Sequence, residues 1–192
     1  AAHFANHAAG VVVAKLGTAS VTPAELQSAA AVLRLNTGQG VMSESELASA
    51  LADLRAAGKR VVMTNGCFDL IHPGHIRYLQ QAAALGDVLV VAVNDDDSVR
   101  RLKGASRPLN TVSDRMAVLA ALEAIDFVVP FSEDTPERVI EVLAPDVLVK
   151  GGDYSIEQIA GHESVLQRGG EVRTLDFFAG HSTTGLIERL QD

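Results

Sequence analysis

Tryptophan is absent from this chain, cysteine occurs once, and aromatic residues make up only 4% of it. The single thiol, Cys67, excludes an internal disulfide and fits a reducing compartment, so the expected location is cytoplasmic. No apolar run approaches the length that crosses a bilayer; the run at 88–93 is strand-sized. No membrane partner is therefore expected. A basic leader followed by an apolar stretch is missing as well, so no secretory signal is visible, and the first residue is not Met, which suggests a fragment or a processed chain. Basic residues are scarce: 16 Lys and Arg stand against 24 Asp and Glu, a net charge of −8. An acidic body is a poor non-specific binder of nucleic acid, and no such partner is expected. His and Cys nowhere take the spacing of a zinc site.

What remains is a chain of 192 residues, 47% hydrophobic and 21% charged, enough for one core of ordinary size and an appendage. From Lys59 onward, strand and helix patterns alternate. Apolar β-branched runs at 61–64, 88–93, 127–129 and 147–149 read as strands, and 172–175 reads as a fifth. Helical periodicity falls at 75–85, from 111 or 113 to 123, at 136–143 with Thr135 as cap, weakly at 158–168, and at 183–190. The continuous run at 88–93 is of the buried, parallel kind. The fold class is accordingly α/β: a doubly wound, five-stranded parallel sheet, Rossmann-like, with ligands expected at the carboxyl ends of strands where the order reverses.

Ahead of that domain, Thr22, Pro23 and Glu25 begin a helix to about Leu33, and Ser43 with Glu46 forms a capping box for a second helix over 44–57. Asn36 to Gly40 reads as the loop between them. Residues 22–58 are expected to be connector helices. Residues 5–16 read as a further, buried helix stopped by Gly17.

The chain's most informative stretch is Thr64-Asn65-Gly66-Cys67-Phe68-Asp69-Leu70-Ile71-His72-Pro73-Gly74-His75. It joins the strand at 61–64 to the helix that follows. Strand, Gly-bearing turn and helix start meet at two histidines three residues apart, where free N–H groups and the positive end of the helix dipole attract a phosphate. Arg100, Arg101, Lys103, Arg107 and Arg115 fall within sixteen positions and make a local cationic patch. A solvated helix face is the plain alternative, but Gly104, Pro108 and Asn110 make the stretch loop-like.

His-x-Gly-His after such a strand resembles the signature of the nucleotidyltransferase superfamily that includes cytidylyltransferases and phosphopantetheine adenylyltransferase. Gly66-Cys67-Phe68-Asp69 looks like its cytidylyltransferase-like branch. With Val93-Asn94-Asp95, the stretch 102–108, Asp134-Thr135-Pro136, the stretch 148–154 and Gly180-His181-Ser182-Thr183-Thr184, residues 59–192 are similar to the adenylyltransferase domains of bacterial bifunctional heptose-7-phosphate kinase / heptose-1-phosphate adenylyltransferases. Residues 1–21 resemble the last helix of a ribokinase-type kinase without its catalytic Gly-Ala-Gly-Asp. An N-terminal helix of the transferase itself is the alternative.

The resemblance implies attack of heptose 1-phosphate on the α-phosphate of ATP, with pyrophosphate leaving and ADP-heptose formed for lipopolysaccharide core synthesis. Such a nucleophile is already anionic, so no general base is needed. Cations and N–H donors must do the work. The catalytic set implied is His72, His75, Lys103 and Arg115. Nucleotide contacts fall to Thr64, Asn65, Gly66 and Phe68, to Lys150, Gly151 and Asp153, and to Ser182, Thr183 and Thr184. Sugar-phosphate contacts fall to Asn94, Asp95, Arg101 and Arg107, with the ribose as the alternative for Asn94 and Asp95 and a plain surface arginine as the alternative for Arg107. Arg101 and Lys103 stand where cytidylyltransferases of this branch carry two lysines, and Arg101 is a departure. Phe177-Phe178-Ala179 replaces the Arg-Thr-Glu of the glycerol-phosphate enzymes, which suits the heptose branch. Cys67 reads as packing. Magnesium would arrive with ATP rather than in a protein cage. A covalently linked kinase domain and a homodimer are the implied partners. A CTP-using relative, or a catalytically silent nucleotide-binding module, are the competing readings.

Overall fold

The computed structural model describes Thr22, residues 40–152 and residues 154–176. Five strands form one all-parallel sheet: β1 (Val61–Gly66), β2 (Val88–Asn94), β3 (Phe127–Phe131), β4 (Val147–Gly151) and β5 (Glu171–Leu175). Their spatial order is β3-β2-β1-β4-β5, so the winding reverses between β1 and β4. The helices are α1 (Glu44–Ala56), α2 (Pro73–Ala83), α3 (Asp96–Lys103), α4 (Val112–Ala120), α5 (Glu137–Leu143) and α6 (His162–Gln167). The expected doubly wound architecture is what the residues build.

Alternation along the strands sorts the core into two layers. Val61, Met63, Val88, Val90 and Leu148 pack with α1, α5 and α6 on one face; Val62, Leu89, Val91, Val147 and Val149 pack with α2 and α4 on the other. Because both faces are covered, all seven residues of β2 are buried, which is why 88–93 is an unbroken apolar run, closed by the buried Asn94.

An aspartate immediately precedes each of β2, β3 and β4, and each binds the first amides of its inward neighbour. Asp87 accepts from Arg60 N at 2.8 Å, Asp126 from Leu89 N at 2.7 Å and Asp146 from Val61 N at 2.7 Å. These carboxylates satisfy amides that no strand pairs and fix the register at the sheet's amino edge.

Residues 40–56, expected as a lead-in, are part of this core. Leu47 and Leu51 are buried with β3 and α5, and the Ser43–Glu46 capping box forms as expected. Gly40 presses on the edge of β3: Val128 N donates to its carbonyl at 2.7 Å, and a Cβ there would lie 2.0 Å from the Asp126 carbonyl oxygen.

Several expected boundaries shift. Helix α2 starts at Pro73, two residues before the expected start. Pro136 rather than Thr135 caps α5, without a side-chain bond. The weak helix at 158–168 is split into a 3₁₀ turn, Ile156–Gln158, and α6, with left-handed Gly161 between them. Helix α3 occupies positions expected to be loop. The helices expected at 5–16, from Thr22 to Leu33 and at 183–190 lie outside the described residues.

Candidate active site

β1 delivers the chain to the sheet's carboxyl edge beside the reversal, and α2 begins after six intervening residues. The turn between them is tight: Phe68 takes φ +47°, and its ring lies back over Gly66, where a Cβ would come within 3.1 Å of it. His72 is the N-cap of α2, with Pro73 in the first helical position. Its Nδ1 accepts from the His75 amide at 3.3 Å, which leaves the proton on Nε2. The two imidazoles stack, with ring centroids 3.8 Å apart and planes inclined by 22°, and Phe68 closes the far side of His75 at 5.4 Å. Burial, aided by the neighbouring His72, brings the His75 pKa down to about 4. The Leu70 carbonyl draws it the other way, yet among the described residues His75 Nδ1 finds no well-formed hydrogen bond. An open groove of about 440 Å³ runs past His72 along α2, between Ile71, Ile76 and Gln80.

The cations converge on the same turn. Burial pushes the Cys67 thiol up, while Lys103, Arg115, Lys150 and Arg107 all pull it down. The charges of four cations from four segments therefore reach one residue of the histidine loop, and one of them, Arg115, touches it. Lys150, at the carboxyl end of β4 and across the reversal from β1, has its pKa lowered by burial, with the like charge of Lys103 adding to the effect. Lysine charges that reach Cys67, in the same loop as the stacked histidines and the helix N-terminus, make this part of the carboxyl edge one that an anion would stabilise.

Other expected contacts are engaged with protein groups. Arg115, expected to reach the nucleotide, has no exposed side-chain surface; it donates to the Cys67 carbonyl at 2.6 Å, the Asn110 carbonyl at 3.0 Å and Asp96 at 2.8 Å. Arg107 pairs with Asp69 at 2.5 Å. Arg101 turns to Asp134 and the Ser132 carbonyl beyond β3. Asn94 donates to Ser98, and Asp95 caps α3. The Thr64 hydroxyl is buried against Tyr78 at 2.6 Å, which leaves its backbone rather than its side chain facing the turn. Asn65, Gly66 and Gly151 end their strands at the carboxyl edge, and Phe68 follows in the turn after β1. Asp153, Ser182, Thr183 and Thr184 lie outside the described residues.

Two buried polar residues escaped notice in the sequence. Asp69 accepts from Leu109 N, Asn110 N and Arg107 while its own carbonyl takes the Asn110 side chain. Burial alone would raise its pKa, but the Asn110 and Leu109 amides and Arg107 outweigh it and hold the carboxyl below the usual range. Tyr78 bridges Thr64 of β1 and the Val149 carbonyl of β4 at 3.2 Å, and its burial lifts its pKa to about 12. Only the position of Asp69 inside the histidine motif hinted at its role.

The Cytidylyltransferase-like family profile matches residues 63–189. The chain belongs to the cytidylyltransferase-like family. As a member it is a nucleotidyltransferase, and it is 61% identical over 188 residues to the bifunctional protein HldE of Alkalilimnicola ehrlichii, covering 98% of this chain and 39% of that protein. Its identity to HldE of Halorhodospira halophila is 60% over 192 residues, the whole chain and 40% of that protein. The chain thus spans about two fifths of the length of the curated relatives it matches. A lipopolysaccharide core biosynthesis protein from Thermoplasma volcanium superposes with a TM-score of 0.53 at 28% identity, covering 63% of this chain and 98% of the other. In this cytidylyltransferase-like domain, no group of three or more His, Cys, Asp or Glu that could hold a metal occurs among the described residues, and none of their helices is long and apolar enough to cross a membrane.

Proposed function

We propose that this domain transfers AMP from ATP to heptose 1-phosphate, releasing pyrophosphate and forming ADP-heptose. The observation that carries the reading is the stacked His72–His75 pair at the N-terminus of α2, beside the β1–β4 reversal, and Lys103 and Lys150, whose charges reach Cys67 in the same loop, support it. The histidine motif, the segments at 102–108 and 148–154 and the HldE relatives support the heptose branch.

In the proposed reaction an oxygen of the sugar phosphate forms a bond to the α-phosphorus of ATP as the bond to the β,γ-pyrophosphate breaks. The attacking oxygen carries charge already, so no proton needs to be removed. Catalysis then consists of alignment and of neutralising charge on the α-phosphate and leaving group. His72 Nε2–H and the His75 imidazole donate toward the α-phosphate. Lys103 bridges the phosphates of the two substrates, and Lys150 meets the nucleotide from β4. The amides of the 64–68 turn and Gly151 complete the nucleotide contacts, with Asp153 and Ser182 to Thr184 assigned by resemblance. Magnesium enters on the nucleotide's phosphates as part of the substrate. In the full-length protein a kinase domain is joined to this one, a reading that the relatives' bifunctional naming and their greater length support.

Pyrophosphate release measured with ATP or CTP, each paired with heptose 1-phosphate and glycerol 3-phosphate, tests the proposal. Turnover is expected only with ATP and the heptose. Turnover with CTP or with glycerol phosphate instead would move the domain to another branch, and none with any pair would leave it a binding module.

A further inference from the structure

Beyond the groups that meet substrate, the fold contains a polar latch that no resemblance assigned. Two segments must be held together for Lys103 to face the histidines. One is the loop after β1, residues 67–69. The other runs from the start of α3 to the start of α4 and carries Lys103 in its middle. Left-handed Gly104, φ +96°, breaks the helix immediately after Lys103, and nothing lies within 4 Å of where its Cβ would be. Apolar packing is thin here as well: Leu102 and Leu109 are 47% and 54% exposed.

Two buried ionic groups tie these segments instead. Asp69, 3% exposed, takes the Leu109 amide at 2.8 Å, the Asn110 amide at 3.0 Å and Arg107 at 2.5 Å, while Asn110 Nδ2 donates to the Asp69 carbonyl at 2.8 Å. Arg115, 2% exposed, clamps the Cys67 carbonyl, the Asn110 carbonyl and Asp96 in the first turn of α3. Both groups therefore grip the histidine loop at one end, at Asp69 itself and at Cys67. Each grips Asn110 at the other. Arg115 adds the far end of α3, so the Lys103-bearing segment is anchored on both sides.

We propose that Asp69 and Arg115 are positioning residues: together they latch the segment carrying Lys103 onto the loop carrying His72 and His75. Arg115 acts through protein acceptors and touches no substrate. Its fork geometry is essential, because three acceptors in different directions need a planar guanidinium, which a lysine cannot imitate. A freed segment would let Lys103 wander from the phosphates, which lowers turnover more than nucleotide affinity. The latch rests on the proposed function only for the role of Lys103.

Asp69→Asn and Arg115→Lys test it with two readouts. The first is limited trypsin digestion followed by mass spectrometry. Arg100, Arg101 and Lys103 are exposed, but cleavage there requires the segment to open. Both variants should be cut after these residues at least tenfold faster than the native domain, with cuts elsewhere unchanged and circular dichroism still native. The second readout is kinetic: kcat should fall 10- to 100-fold while the dissociation constant for ATP stays within about threefold. Where either variant fails to fold, Asn110→Ala, which removes one side-chain bond and leaves the Asp69 carboxylate with its amide donors, should show the same faster cleavage to a smaller degree. Unchanged cleavage at 100–103 in folded variants would overturn the latch, as would full turnover in Arg115→Lys. If the native domain proves inactive with every substrate pair, the proposed function falls, and the digestion alone still decides the latch.

Discussion

The ring of His72 lies face to face with that of His75, 3.8 Å between centroids, and the first nitrogen of the pair is already spent on the backbone amide of the second. Two stacked imidazoles at this distance cannot both be protonated cheaply, and His75 is the one driven neutral. A neutral His75 presents an N–H donor without prior charge, so its interaction with phosphate strengthens as charge builds in the transition state.

His75 in the free domain is therefore expected to titrate near pH 4, measured by its ring proton chemical shifts. His72→Ala removes the charge repulsion but not the larger effect of burial, so the midpoint should climb only part of the way to 6.5. The unfolded chain binds this proton with a pKa of about 6.5 and the folded one only near 4. Stability should thus fall as pH drops from 6.5 toward 4, by on the order of 2–3 kcal/mol at most. A native midpoint at 6 or above would contradict the buried, stacked geometry.

His72→Ala and Lys103→Ala are each expected to lower kcat by about 10²–10³ while the ATP dissociation constant changes little. Steady-state kinetics alongside calorimetric ATP titration separates the two quantities. Equal losses in both would show that these groups serve binding alone.

Lys150 carries its charge at a disadvantage, through burial and then through Lys103, so it loses its proton below the ordinary lysine value. With a phosphate contact from Lys150, kcat/KM should decline on the alkaline side before pH 10.5 is reached. Lys150→Arg should carry that decline to higher pH, because a guanidinium stays charged. Burial pushes the Cys67 thiol up as well, and Cys67→Ala should leave the limb in place. A limb that moves with Cys67 and ignores Lys150 would refute the assignment.

Tyr78→Phe tests the scaffold beneath the site. Its hydroxyl joins β1 to β4 through Thr64 and the Val149 carbonyl, where the sheet reverses. Losing it strands two buried polar groups at about 1–2 kcal/mol in all. Denaturant unfolding should register that loss, with kcat changing only a few-fold. A large kinetic effect without destabilisation would place the hydroxyl in the chemistry instead.

Strands β1 to β4 were legible because burial on both faces leaves apolar runs, and the histidine turn because its residues stand together in sequence; the half-exposed β5 carries no such run. Helix α3 was not legible. It is eight residues long with charged residues through most of its length, and Asp95 starts it through a bond to Ser98 N that could equally have meant a turn. Arg115 was found, but its buried protein partners were not. An arginine near a phosphate motif looks like a ligand until three protein acceptors are seen around it. Asp69 was invisible as a latch because its partners lie some forty residues away and meet it only once the sheet has formed.

The most direct test of the whole account is a crystal structure of the domain with a non-hydrolysable ATP analogue and magnesium. The α-phosphate is expected within hydrogen-bond reach of the His72 and His75 rings, with Lys103 and Lys150 on the phosphates and Arg115 still bound to Cys67, Asn110 and Asp96. A nucleotide seated away from the β1–β4 reversal, or phosphates facing neither histidine nor either lysine, would contradict it.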